Sequence, residues 1–328
     1  MPATKPSTRP ILPIILFLIL ALAGAGFAFY YSLFRHDEPK ISKEEPTISE
    51  KEFPVPPSNP PAINTPTGTV KKIDVAAELN NAKQLYQAGK YPEAIRIYET
   101  VIQSDPSNAN VYYLSGSARL KAGQKDDALR DFEKAAELNP NHDKAWQQIG
   151  FLRMSRVDYP GAEKAFLKVI EIQPESAGGW QGLAQTYLMS QQTEKAKSAY
   201  QKVLKLDPEN ITAIFNVGQI EWAGKETEAA RKSFLRVLQL DPDYAEAHNN
   251  LGAIYLNEGN LVSSIRENEA AIRLKPGLAS AHYSLFLAFE QKGDLKKAAS
   301  HLREYMELSG DDDPELQKKL QQYEGGKS

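Results

Sequence analysis

Residues 143–210 read DKAWQQIGFLRMSRVDYPGAEKAFLKVIEIQPES followed by AGGWQGLAQTYLMSQQTEKAKSAYQKVLKLDPEN, two blocks of 34 residues that align without a gap. Both blocks carry Trp at the fourth place (Trp146, Trp180), a small residue at the eighth (Gly150, Ala184) and Ala at the twentieth (Ala162, Ala196). An aromatic stands at the twenty-fourth (Phe166, Tyr200) and Pro at the thirty-second (Pro174, Pro208). A period of this length decides the fold before any local propensity does.

The register runs on in both directions. Prolines stand at 106, 140, 174, 208, 242 and 276, each 34 residues after the last. The eighth place is Ala82, Gly116, Gly150, Ala184, Gly218 and Gly252. The twentieth is Ala94, Ala128, Ala162, Ala196, Ala230, Ser264 and Ala298, and the twenty-fourth is Tyr98, Phe132, Phe166, Tyr200 and Phe234. Asn268 interrupts the aromatic series. Ala, Leu, Glu, Lys and Gln dominate after residue 74, which favours helix, and no alternating Val/Ile/Thr run bounded by hairpin turns suggests a strand.

This pattern resembles the tetratricopeptide repeat over residues 75–312, as seven modules: 75–108, 109–142, 143–176, 177–210, 211–244, 245–278 and 279–312. The resemblance implies an all-α solenoid of helical hairpins coiled into a right-handed superhelix. Its concave side would be lined mainly by the first helix of each module. The small residues let the two helices approach, and the aromatic fills the space beside that contact. Asp-Pro and Asn-Pro pairs end the second helix, since Pro cannot continue it and the residue before Pro is pushed out of helical geometry. Gly89, Gly123, Gly259 and Gly293 mark turns between first and second helices. No hairpin buries its apolar face alone, so neighbours must stack.

The ends suit this arrangement. Glu78 and Asn81 stand where inner modules have Trp146 or Trp180 and Ile149 or Leu183, as expected of a first helix with no predecessor. Asp313-Pro314-Glu315 reads as a helix start, with Leu316, Leu320 and Tyr323 on one face, so residues 313–328 are expected to form a capping helix and tail.

Ahead of the repeats, after a short tail of residues 1–10, Ile11 to Phe34 form a run of 24 uncharged, mostly apolar residues. About 20 residues of helix span a bilayer core. Tyr30 and Tyr31 lie near one end, where amphipathic rings favour the interface. A cleaved signal peptide is the competing reading, with Ala23-Gly24-Ala25 as the processing site; the apolar run continues nine residues beyond it, which favours a retained anchor. Lys5 and Arg9 on one flank and Arg35, Lys40 and Lys43 on the other do not decide the orientation. A short tail before an N-terminal anchor ordinarily stays in the cytoplasm. The expectation is a single-pass protein of a bacterial inner membrane, with its repeats in the periplasm.

Residues 35–74 hold eight prolines and form the expected disordered linker. As a flexible coil such a segment spans about 35 Å. A docking role for Pro54-Val55-Pro56-Pro57 is the sharper alternative to a plain spacer.

The formal net charge of −3 argues against a nucleic-acid partner, which needs a basic excess. With no cysteine, thiolate metal sites, thiol nucleophiles and lipidated cysteine are ruled out. Anchor, linker, repeats and cap account for all 328 residues, and no phosphate-cradling glycine loop, GxSxG elbow or HExxH is present. The expectation is no enzyme and no cofactor. His248 and His282 share a place in consecutive modules; the choice is between a shared metal and packing in place of Trp, and packing is favoured because no third ligand is evident.

The family resemblance assigns places on the first helices to the groove. Its apolar members are Tyr86, Tyr113, Phe151, Met154, Leu188, Met189, Phe215, Trp222, Leu256 and Tyr283. Between them lie Gln87, Gln147, Gln181, Gln185, Gln219, Asn249 and Gln291, while Asn80, Gln148, Asn216 and Asn250 form a partial amide ladder. Fixed charges are few: Lys83, Lys121, Lys144, Glu246 and Glu290. Amides both donate and accept, so a row of them can satisfy a peptide backbone without reading its sequence. The expected partner is an extended, weakly charged polypeptide in the concave groove, and the expected role is a protein-interaction scaffold for an envelope complex. A polysaccharide-associated export accessory is the alternative. Leu79 and Leu114 break the pattern of modules that clamp chaperone C-termini. Trp222→Ala and Phe215→Ala are expected to weaken binding and leave the fold intact. No feature of the sequence specifies self-association.

Overall fold

In a computed structural model, residues 74–325 are described, and among them every regular element is a helix. The N-terminal tail, the anchor at 11–34 and the linker up to residue 73 lie outside the described residues. No helix among the described residues is long and apolar enough to cross a membrane.

Seven helical hairpins follow one another. They pair α1 (Val75–Gln87) with α2 (Tyr91–Ser104), α3 (Ala109–Lys121) with α4 (Lys125–Leu138), and α5 (Asp143–Ser155) with α6 (Tyr159–Ile172). Next come α7 (Ala177–Met189) with α8 (Thr193–Leu206) and α9 (Ile211–Ala223) with α10 (Thr227–Leu240). The last two pair α11 (Ala245–Asn257) with α12 (Leu261–Leu274) and α13 (Ala279–Lys292) with α14 (Leu295–Ser309), and α15 (Pro314–Gly325) follows them. The chain divides into two compact units at Pro106: α1 and α2 belong to the first, α3 to α15 to the second.

Local chemistry sets the helix ends. The Asp74 carboxylate accepts from the Ala76 and Ala77 N–H groups at 3.1 Å. Asp158, Ser176, Asn210, Asn260 and Asp294 cap later helices in the same way, answering N–H groups that lack an intrahelical partner. Each residue before a repeat proline is extended: Asp105, Asn139, Gln173, Asp207, Asp241 and Lys275 all have φ between −132° and −141°.

The turn within each hairpin needs one residue in the left-handed region. Glycine supplies it at Gly89, Gly123, Gly259 and Gly293, with φ between 74° and 82°. In the three central hairpins Val157, Gln191 and Lys225 take the same conformation at φ 62–63°, which the sequence did not mark as turns. Val157 is the most strained of the three, because a β-branched side chain fits this region worst. It is 64% exposed, so no packing rewards it. Val157→Gly is therefore expected to raise stability by about 1 kcal/mol, read as a higher midpoint in urea; an unchanged or lower midpoint would show that the turn is not strained.

Close approach of paired helices runs through the eighth place. A Cβ on Gly116 would fall 2.9 Å from the Phe132 ring, on Gly150 2.7 Å from Phe166, and on Gly218 3.0 Å from Phe234. These three rings are fully buried. The last hairpin departs from this pattern: Phe286 sits at the eighth place and Leu302 at the twenty-fourth, both buried.

Within the second unit the core continues from hairpin to hairpin. Phe166 packs in one cluster with Leu183, Tyr187, Tyr200 and Val217, and Phe215 and Phe234 pack with Leu251 and Ile254. Leu316, Leu320 and Tyr323 of α15 pack against the cluster of Leu285, Phe286 and Phe289. Lys319 and Tyr323 also bond the Glu290 carboxylate, the former at 2.6 Å. In the first unit, Asn81 is exposed and Glu78 half-buried.

Candidate binding groove

The fifth, ninth and twelfth places of a first helix are separated by four and then three residues, so they share one face. Two pairs of consecutive first helices pack side by side, α5 on α7 and α11 on α13. A contact of this layer is Gln147, whose Nε2 lies 2.8 Å from where a Cβ on Gly178 would be. Thr186 on α7 likewise points its hydroxyl at the Met154 sulfur on α5, at 3.7 Å.

The amides divide into two groups. Gln147 on α5, Gln181 and Gln185 on α7 and Gln219 on α9 are half-buried, and their side chains bond no other described residue. Asn250 is 6% exposed and also makes no side-chain bond to a described residue. Asn216 instead donates to the Thr212 carbonyl at 2.7 Å, one turn back along its own helix. Asn249 is buried: it donates to Asn268 Oδ1 at 2.8 Å and accepts from the Ser280 hydroxyl at 2.7 Å. The four half-buried, unbonded glutamines thus lie on α5, α7 and α9.

The aromatics divide as well. Phe215 is 7% exposed, its ring 5.7 Å from Phe234 and 4.9 Å from Tyr244, so the structure places it in the core. Trp222 is half-buried and leans on the edge of that cluster. Phe151 is half-buried with its edge against Phe166 at 5.1 Å, and Tyr113 lies over His142 at 4.8 Å. Tyr283 sits between Phe286 at 5.7 Å and Tyr305 at 4.8 Å, and burial raises its phenol pKa. Tyr86 packs edge-on to Tyr91 at 5.4 Å within the first hairpin.

The acids among the groove candidates are paired. Glu246 meets Lys275 at 2.7 Å, and Glu290 is held by Lys319 and Tyr323. Lys144 is exposed at the start of α5.

The histidines at the fourth place act as the tryptophans do. Trp146 and Trp180 donate from Nε1 to the carbonyls of Pro140 and Pro174 at 2.9 Å. The Nε2 atoms of His248 and His282 face the carbonyls of Pro242 and Pro276 at 3.1 Å. Their other nitrogens are directed apart, His248 to Glu267 at 2.8 Å and His282 to His301 Nδ1 at 3.3 Å. His301 lies flat against Phe289, and burial, then His282, lowers its pKa to about 4. Among the described residues no group of three or more His, Asp or Glu is placed to hold a metal ion.

Sequence reasoning missed the Pro carbonyl as the target of the fourth place. The signal was present, since Trp and His are the two residue types there that carry a ring N–H donor.

Comparison with known proteins agrees with this architecture. Models of the tetratricopeptide repeat match residues 79–143, 113–177 and 177–210, and a TPR repeat model matches 218–259, together more than half of the chain. No curated protein matches. Among solved structures, YrrB, described as a TPR protein with an unusual peptide-binding site, is 21% identical with a TM-score of 0.50; the match covers 57% of this chain and 96% of that one. The C-terminal part of a TPR repeat-containing protein from Cytophaga hutchinsonii is 15% identical with a TM-score of 0.59, over 74% of this chain and 99% of that one. A tetratricopeptide repeat protein from Parabacteroides merdae is 12% identical with a TM-score of 0.57, over 76% and 98%. At these identities the likeness is one of fold. With the 34-residue register, the hairpins and the matched repeat models in agreement, the chain belongs to the tetratricopeptide-repeat family.

Proposed function

We propose that this chain is a non-catalytic, membrane-anchored interaction scaffold that holds an extended, weakly charged polypeptide against α5, α7 and α9. The observation that carries this is the set of four unbonded glutamines, Gln147, Gln181, Gln185 and Gln219, beside the half-buried Phe151, Leu188 and Trp222. An amide held at a half-buried site without a partner has donors and acceptors to offer a peptide backbone. The neighbouring rings offer apolar contact at little entropic cost. Pairing of Glu246 and Glu290 leaves few open charges, which suits a ligand without strong charge. With the apolar run at 11–34 as its anchor, the repeats would work beside a membrane, in the periplasm of a bacterium, assembling an envelope complex.

Binding of the full-length chain to arrays of uncharged peptides and of glycans tests this. Peptides are expected to bind, and Trp222→Ala combined with Gln185→Ala is expected to weaken them at least about tenfold without lowering the melting temperature. Glycan binding without peptide binding would overturn the peptide reading in favour of a polysaccharide-associated role.

A further inference from the structure

The second helices hold their hairpins by the same three places, yet α12 differs from the rest. The buried side chains of α10 are Ala230, Phe234 and Val237; those of α12 are Ser264, Asn268 and Ala271. Asn268 and Ser264 have no exposed surface. Asn268 Nδ2 donates to the Ser264 carbonyl at 2.9 Å. Its Oδ1 accepts from Asn249 at 2.8 Å, and Asn249 in turn accepts from Ser280 at 2.7 Å. A chain of four polar side chains thus replaces the aromatic anchor, joining α12 to α11 and α11 to α13. The glycine that accommodates a ring elsewhere is still present: a Cβ on Gly252 would fall 2.6 Å from Asn268 Cγ.

The two kinds of hold respond differently to water. A buried Phe loses its whole contribution when exposed, because water gives nothing in return. Amides and hydroxyls exchange their internal bonds for bonds to water, so the net loss on opening is small. Local opening follows where buried apolar contact is least. In a repeat array each hairpin touches only its neighbours, so one weak member can open while the others stay closed.

We propose that α12 is the yielding helix of this solenoid, opening locally and ahead of the hairpins on both sides of it. This goes beyond the groove reading and does not depend on any ligand.

Hydrogen exchange of the full-length chain, resolved by helix, tests it. Amides of α12 are expected to exchange at least about tenfold faster than those of both α10 and α14. Protection of α12 equal to that of α10 would overturn the proposal and show that the polar chain locks the hairpin. A steady decline from α10 through α12 to α14 would also overturn it, since fraying from the chain end would then explain the rates. The variant Asn249→Phe, Ser264→Ala, Asn268→Phe transplants the set found at Phe215, Ala230 and Phe234. It is expected to slow α12 exchange to the rate of α10; an unchanged rate would refute the assignment to these residues. Should the variant not fold, the wild-type comparison of α10, α12 and α14 still decides.

Discussion

Gly182→Ala is expected to cost about 3 kcal/mol, the upper part of the range for forcing volume into a packed core. The new Cβ would lie 2.5 Å from Phe166 Cζ and 2.6 Å from Cδ1, far inside van der Waals contact. Phe166 has little room to retreat. It is fully buried, meets the edge of Phe151 at 5.1 Å, and already lies against Gly150. Gly182 is on α7 and Phe166 on α6, so the clash falls on a seam between neighbouring hairpins, where a repeat array carries its cooperativity. Thermal unfolding followed by circular dichroism checks this. Gly277→Ala is the control, because the nearest atom to its new methyl would be 4.0 Å away. Equal melting temperatures for the two variants would mean that the ring moves aside and the seam is soft.

Phe215→Ala is expected to destabilise the chain by about 3–5 kcal/mol, as truncation of a buried Phe does. The resemblance to the repeat family places Phe215 in the groove, and on that basis its removal should spare the fold. The structure changes that expectation: its ring is committed to Phe234 and Tyr244, and 7% of its surface is exposed. Trp222, seven residues on and on the same face, keeps a half-exposed ring. The two variants should therefore separate. Phe215→Ala should melt early, whereas Trp222→Ala should melt near the wild type and lose ligand. A Phe215→Ala protein with wild-type melting and lost binding would return that ring to the groove.

Much of this architecture could be read directly. A 34-residue spacing of prolines implies hairpins, since each Pro must end a helix and each intervening stretch is long enough for two. Gly89, Gly123, Gly259 and Gly293 marked four hairpin turns because glycine alone enters the left-handed region without penalty. Val157, Gln191 and Lys225 were silent, because their conformation is imposed by the two helices they join and not by their own preference. Asn268 was visible as a break in the aromatic series, but its meaning was not. Its partner Asn249 is 19 residues away and the next link, Ser280, a further 31.

The chain's own order of residues determined the period and the helical hairpins, because both follow from local spacing and backbone geometry, while the groove candidates came from the resemblance to the repeat family. Tertiary structure alone decided which candidates remain open. Gln147, Gln181, Gln185 and Gln219 kept their amides unbonded, while Asn249 and Phe215 were taken into the core. The physical reason is that a side chain's free valence depends on what the neighbouring hairpin brings within about 3 Å of it, and that is a property of packing between segments far apart in sequence.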